Sequence, residues 1–68
     1  MDRYYFHIHV RDEVERGVVR EHPSLVDAIA DAKRIRIDIM SEQLLDQLCI
    51  EIEDQSGHTV ATVPAAHR

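Results

Sequence analysis

Near the start of the chain, side chains alternate without a break. Tyr4, Phe6, Ile8 and Val10 fall on one side, and Tyr5, His7, His9 and Arg11 on the other. A period of two marks a β-strand with one buried face, because successive side chains of a strand point to opposite sides of the sheet. Wound as a helix, the same residues would scatter around the circumference and leave no apolar stripe. The chain therefore opens as a strand whose core face is aromatic and branched. Its other face is too polar for a core and unusually rich in imidazole for a solvated surface.

The same pattern returns at Leu48-Cys49-Ile50-Glu51-Ile52-Glu53. Here Leu48, Ile50 and Ile52 point inward, and Cys49, Glu51 and Glu53 point away. Asp54-Gln55-Ser56-Gly57 reads as a hairpin turn with glycine at the position that needs positive φ. His58 to Val63 then returns as a last strand, stopped by Pro64, and residues 65–68 read as a loose C-terminal tail. After the opening strand, Asp12-Glu13 reads as a turn and Val14 to Arg20 as a second strand. Gly17 interrupts its alternation and predicts a bulge or bend. Its charges suit a sheet edge, where they discourage unwanted pairing.

Pro23-Ser24 opens a helix. The Ser24 hydroxyl is placed to accept from free first-turn amides, and Asp27 completes a Ser-x-x-Asp variant of the capping box. The helix is expected to run to about Leu44 or Leu45, a length of about 30 Å. Leu25, Ala28, Ile29, Ala32, Ile35, Ile39 and Met40 share one broad face, and the alanines allow a close approach to a sheet. Arg36 falls in the middle of that face, with its stem expected to pack and its head to snorkel to water. Val26, Ile37 and Leu44 form a second stripe on the flank, which either widens the core contact or belongs to a subunit interface.

The element order is thus β-β-α-β-β. One helix covers one face of a four-stranded sheet, giving an α+β fold in a single domain spanning residues 1–68. The first and third strands carry the strongest core faces, so they are placed centrally, in the order 2-1-3-4. With the helix running back across the sheet, every neighbouring pair is then antiparallel.

Composition narrows the function. A chain of 68 residues buries a small core and often draws on metal or self-association for stability. A single cysteine, Cys49, excludes an internal disulfide. The net charge of −5, from 13 acidic against 8 basic residues, disfavours a phosphate backbone as partner. The cluster Lys33-Arg34-Ile35-Arg36 fans out around a helix and forms no compact basic patch. No apolar run reaches the ~20 residues of a membrane span, and no secretory leader is visible. A cytoplasmic protein without nucleic-acid or membrane partners is the expectation. There is no phosphate loop and no nucleophile motif, and a lone cysteine on a strand is most often a small structural residue.

What remains is the sheet face that the helix leaves open, with Tyr5, His7, His9 and Arg11 beside Cys49, Glu51 and Glu53. One reading is a solvated face laced by cross-strand pairs. Another is a homodimer or other protein interface that draws on Tyr5 or on the Val26, Ile37 and Leu44 stripe. A third is a zinc-type site in which His7 and His9 converge, joined by Cys49 or Glu51. No cofactor is expected, zinc at this site being the alternative. His22, His58 and His67 read as isolated turn or tail residues.

Three stretches resemble a family of small bacterial proteins described as a domain of unknown function. Arg3-Tyr4-Tyr5-Phe6-His7 is similar to the family's Arg-Tyr-Phe-Phe-His opening. The helix around Ala28 and Ala32 resembles its alanine-rich middle. Ile52 to Pro64 resembles its Asp-x-x-Gly hairpin closing on proline. The first hairpin departs from the pattern, since residues 12–17 lack the Asp-x-x-Gly spacing. The resemblance implies a stand-alone domain and no activity, substrate or catalytic residue. Taken together, the residues favour a non-catalytic interaction or regulatory module that self-associates, with metal binding at His7 and His9 as the alternative.

Overall fold

The computed structural model describes residues 1–10, 13–43 and 47–64, with backbone only at 13–16. Five elements follow in the order β1 (Asp2–Val10), β2 (Glu13–His22), α1 (Leu25–Gln43), β3 (Cys49–Glu53) and β4 (Thr59–Val63). The strands form one sheet in the order β2-β1-β3-β4, with every neighbouring pair antiparallel. The α+β layout and the strand order both follow the expectation from sequence.

The core lies between α1 and one face of the sheet. Phe6, Ile8, Ile50 and Ile52 are its largest fully buried side chains, on the paired central strands β1 and β3. From the helix, Ala28, Ala32 and Ile39 are buried against them, with Leu25, Ile29, Ile35 and Met40 partly buried at the margin. Fully burying an Ile or Phe contributes roughly 1.5–3 kcal/mol, so these few side chains dominate the stability of a chain this short.

The helix starts as its sequence dictates. The Asp27 amide donates to Ser24 Oγ at 3.4 Å, the Ser24 hydroxyl donates to Asp27 Oδ2 at 3.1 Å, and the Ala28 amide reaches the Ser24 carbonyl. α1 ends at Gln43. The expected extension to Leu44 or Leu45 lies outside the described residues, as does the 65–68 tail. Arg36 is half-buried, and its Nε donates to the Leu48 carbonyl at 2.7 Å. Its head thus ties the helix to the residue before β3 instead of snorkelling freely into water.

β2 departs most from expectation. It extends past Arg20 to His22 and begins at Glu13. The irregularity predicted at Gly17 lies elsewhere: Ile8 pairs with Arg16 and His9 with Val14, leaving Glu15 as the extra residue. Gly17 pairs regularly with His7. In the second hairpin Gly57 has φ 85°, and Asp54 Oδ1 accepts from the amides of Ser56 and His58 at 2.9 and 3.0 Å.

Candidate functional site

α1 covers one side of the sheet, and the other side has no covering element among the described residues. On that open face β1 runs between β2 and β3. Tyr5 lies between Val19 and Glu53, His7 between Gly17 and Glu51, and His9 opposite Cys49. Both histidines reach diagonally along β3, a separation that long side chains bridge across an antiparallel pair. His9 Nε2 is hydrogen-bonded to Glu51 Oε1 at 2.7 Å. His7 Nε2 sits 3.0 Å from Glu53 Oε1, but the carboxylate lies off the direction a hydrogen bond needs. That buried nitrogen therefore has a carboxylate close by and no hydrogen bond.

Gly17 lies directly under Tyr5. The Tyr5 ring leans across β2, and a Cβ at position 17 would run into its Cε1 and Oη atoms. The ring also stacks on His7, with centroids 4.5 Å apart and planes at 23°. The result is a shelf of Tyr5 over Gly17, continued by Val19. Tyr5 is 42% exposed and Val19 53%, so two apolar side chains stand together beside a row of His–Glu pairs.

The sequence-predicted residues fall into this frame as follows. His7, His9, Cys49 and Glu51 share one face on adjacent strands, as expected. Their contacts are pairwise, His9 with Glu51 and His7 with Glu53. Among the described residues, no three of His, Cys, Asp and Glu gather as a metal-ligand set. Cys49 is half-buried. Burial pushes its thiol pKa up, Glu51 adds to the rise and Arg36 opposes it. The thiolate that nucleophilic chemistry requires is thereby disfavoured.

Of the interface candidates, Tyr5 lies on the open face. Val26 and Ile37 are 75% and 63% exposed on the outer side of α1, so they do not widen the core contact. Leu44 lies outside the described residues. Val19 is the residue that sequence reasoning missed. Its signal was the alternation of β2 itself, obscured because the extra residue at Glu15 shifts the pattern's phase.

A second polar centre lies on the helix side. His22, expected to be an isolated turn residue, stacks on Phe6 and bonds the buried carboxylate of Asp31 through Nε2 at 2.8 Å. Arg34 donates to the other carboxylate oxygen, and Arg20 Nε approaches at 3.6 Å. Burial opposes ionisation of Asp31. The hydrogen bonds from His22 and Arg34, with the nearby Arg20 charge, outweigh it and hold the carboxyl below its ordinary range. These contacts join β2 to α1 and engage both oxygens of Asp31. The centre is structural, holding the edge strand to the helix.

A family described as "Domain of unknown function (DUF6894)" matches residues 3–66, from the opening strand through the last one. The chain belongs to this family. No curated protein and no solved structure matches it. Membership therefore carries no reaction and no ligand, and the functional reading rests on the geometry. No helix among the described residues is long and apolar enough to cross a membrane.

Proposed function

We propose that this domain is a non-catalytic binding module that self-associates through the open face of its sheet. The observation that carries the reading is the exposed Tyr5–Val19 pair, set on a rigid central strand and its edge neighbour. Aromatic side chains of this kind are enriched where interfaces form. The occupant is a second copy, because the face is self-complementary in hydrogen-bonding groups, imidazole N–H against carboxylate. The histidines of β1 run beside the glutamates of β3. A two-fold axis parallel to the strands, between β1 and β3, lays one copy's histidine row over the other's glutamate row, the isologous arrangement of a symmetric dimer.

Four strands at ~4.8 Å spacing offer on the order of 500 Å² per protomer, below the ~800 Å² of a standard interface. The association is accordingly weak and concentration-dependent, with a dissociation constant on the order of 10–100 μM. Sedimentation equilibrium tests it. The wild-type chain is expected to shift from monomer to dimer with concentration, Val19→Asp to stay monomeric, and Val26→Asp to behave as wild type. A wild-type chain that is monomeric throughout overturns self-association. Loss of dimer in Val26→Asp but not in Val19→Asp moves the interface to the helix flank.

A second reading, a zinc-type site at His7 and His9 with Cys49 or Glu51, has one observation in its favour. His7 Nε2 is buried and lacks a hydrogen bond. Metal binding at these rings would have to displace Glu51 and Glu53 from them or recruit them as ligands. Calorimetric titration with zinc, compared between wild type and a His7→Ala, His9→Ala double variant, decides it. Equal heats in the two remove the reading.

A further inference from the structure

Among the described residues, His7 Nε2 is the buried side-chain nitrogen left without a hydrogen bond, with Glu53 3.0 Å away and off line. The other ring nitrogen makes no hydrogen bond to a described residue either, and the side chain keeps 28% of its surface exposed. A neutral imidazole carries one N–H whichever tautomer it takes. His7 therefore holds a donor that no described group of its own chain accepts. Glu51 is the reverse case. Its Oε1 is hydrogen-bonded to His9 at 2.7 Å. Its Oε2 has no partner among the described residues, and the side chain is 40% exposed. A carboxylate accepts at both oxygens.

The two residues stand directly opposite one another on β1 and β3. Each nevertheless reaches along the diagonal, His7 toward Glu53 and Glu51 toward His9. An unused donor and an unused acceptor thus share one level of the sheet without meeting inside the chain. A two-fold axis parallel to the strands preserves level along them. It sets His7 of each copy against Glu51 of the other, His9 against Cys49 and Tyr5 against Glu53. Sliding one sheet along the strands would turn the axis into a screw, which does not close. Closed two-fold symmetry therefore leaves this match and no neighbouring one.

We infer that the open face recognises a second copy of this chain through a reciprocal hydrogen bond from His7 of each copy to Glu51 of the other. This rests on the self-association proposed above and adds the residue pair that fixes its register. Tyr5 and Val19 supply apolar contact, which is indifferent to register. The His7–Glu51 pair is directional, and it gives each copy a partner for the group its own chain leaves unpaired. Hydrogen bonds to charged groups are among the stronger ones, and symmetry makes this one twice.

The test mixes two variants. His7→Glu sets carboxylate against carboxylate across the axis, and Glu51→Lys removes the acceptor. In sedimentation equilibrium, with EDTA present to exclude metal bridging, each alone is expected to self-associate about tenfold or more weakly than wild type. Their equimolar mixture is expected to recover the dimer. One new carboxylate then meets one new ammonium, and the native His7 and Glu51 meet at the other contact. Glu53→Lys carries the same charge two residues along β3 and is expected not to recover it. Three results overturn the pairing while wild-type dimerisation stands: wild-type affinity in His7→Glu alone, no recovery in the mixture of folded variants, or equal recovery with Glu53→Lys. Where a charge variant does not fold by circular dichroism, His7→Ala and Glu51→Ala replace the pair in a double-mutant cycle. The double variant is then expected to lose no more affinity than either single one, and additive losses overturn the pairing. A wild-type chain that is monomeric throughout removes self-association itself, and the pairing with it.

Discussion

At position 17 the backbone of β2 lies under an aromatic ring, and at position 31 the helix brings a carboxylate to two arginines and a histidine. Both arrangements are local and testable. Gly17→Ala is expected to turn the exposed Tyr5 ring aside and to change stability by no more than about 1 kcal/mol, because a strand alanine gains about 0.5–1 kcal/mol over glycine. Its effect should differ in a Tyr5→Ala background, a coupling that a double-mutant cycle with urea unfolding measures. Asp31→Ala is expected to cost about 1–3 kcal/mol, the lower part of the range being favoured because Arg20 and Arg34 reach into solvent. Asp31 also carries a pH signature. Its carboxyl is depressed in the folded chain, so its stabilisation is present above the unfolded carboxyl pKa of about 3.9. That stabilisation is lost as pH falls through the lower folded value. The stability gap between wild type and Asp31→Asn should therefore close below about pH 4; a gap that stays constant would show that the charge of Asp31 is not what stabilises. The Asp31 cluster was not legible in the sequence, where an aspartate in mid-helix reads as solvated face. Arg34 is one turn away on α1, but Arg20 and His22 lie on β2, and only the crossing of α1 over that strand brings them to Asp31.

The elements themselves were far more legible, for a reason that differs from one to the next. β1 and β3 declare themselves because each keeps an unbroken period of two over a fully buried face, from Phe6 and Ile8 to Ile50 and Ile52. α1 declares its start because Ser24 and Asp27 supply the cap that free first-turn amides require. β2 is the exception. The extra residue at Glu15 shifts its phase, and Arg20 and His22 point toward the helix where an apolar residue would be expected. Polar residues on that side are satisfied by Asp31, so burial and hydropathy part company on this strand. The close fit of helix to sheet depends on Ala28 and Ala32, both fully buried. Ala32→Leu is expected to force α1 off the sheet and cost about 1–3 kcal/mol. Ala30→Leu, on the exposed side, should change thermal stability by no more than about 0.5 kcal/mol.

For the whole molecule, size sets the terms. At roughly 0.05–0.15 kcal/mol per residue, a domain this small has about 3–10 kcal/mol of stability. Phe6→Ala, at about 3–5 kcal/mol, is then expected to leave it largely unfolded by circular dichroism. With so small a core on one side of the sheet, the other side is open to binding, and its Tyr5–Val19 shelf and His–Glu rows are the surface on which the proposed self-association rests. The most direct test is a dilution series of ¹⁵N-correlation spectra, from on the order of 1 mM downward through the expected dissociation constant. Self-association through the open face predicts amide shifts that move with concentration and centre on Tyr5, His7, Val19 and Glu51. Spectra that do not change on dilution, or changes confined to α1 around Val26 and Ile37, would contradict it.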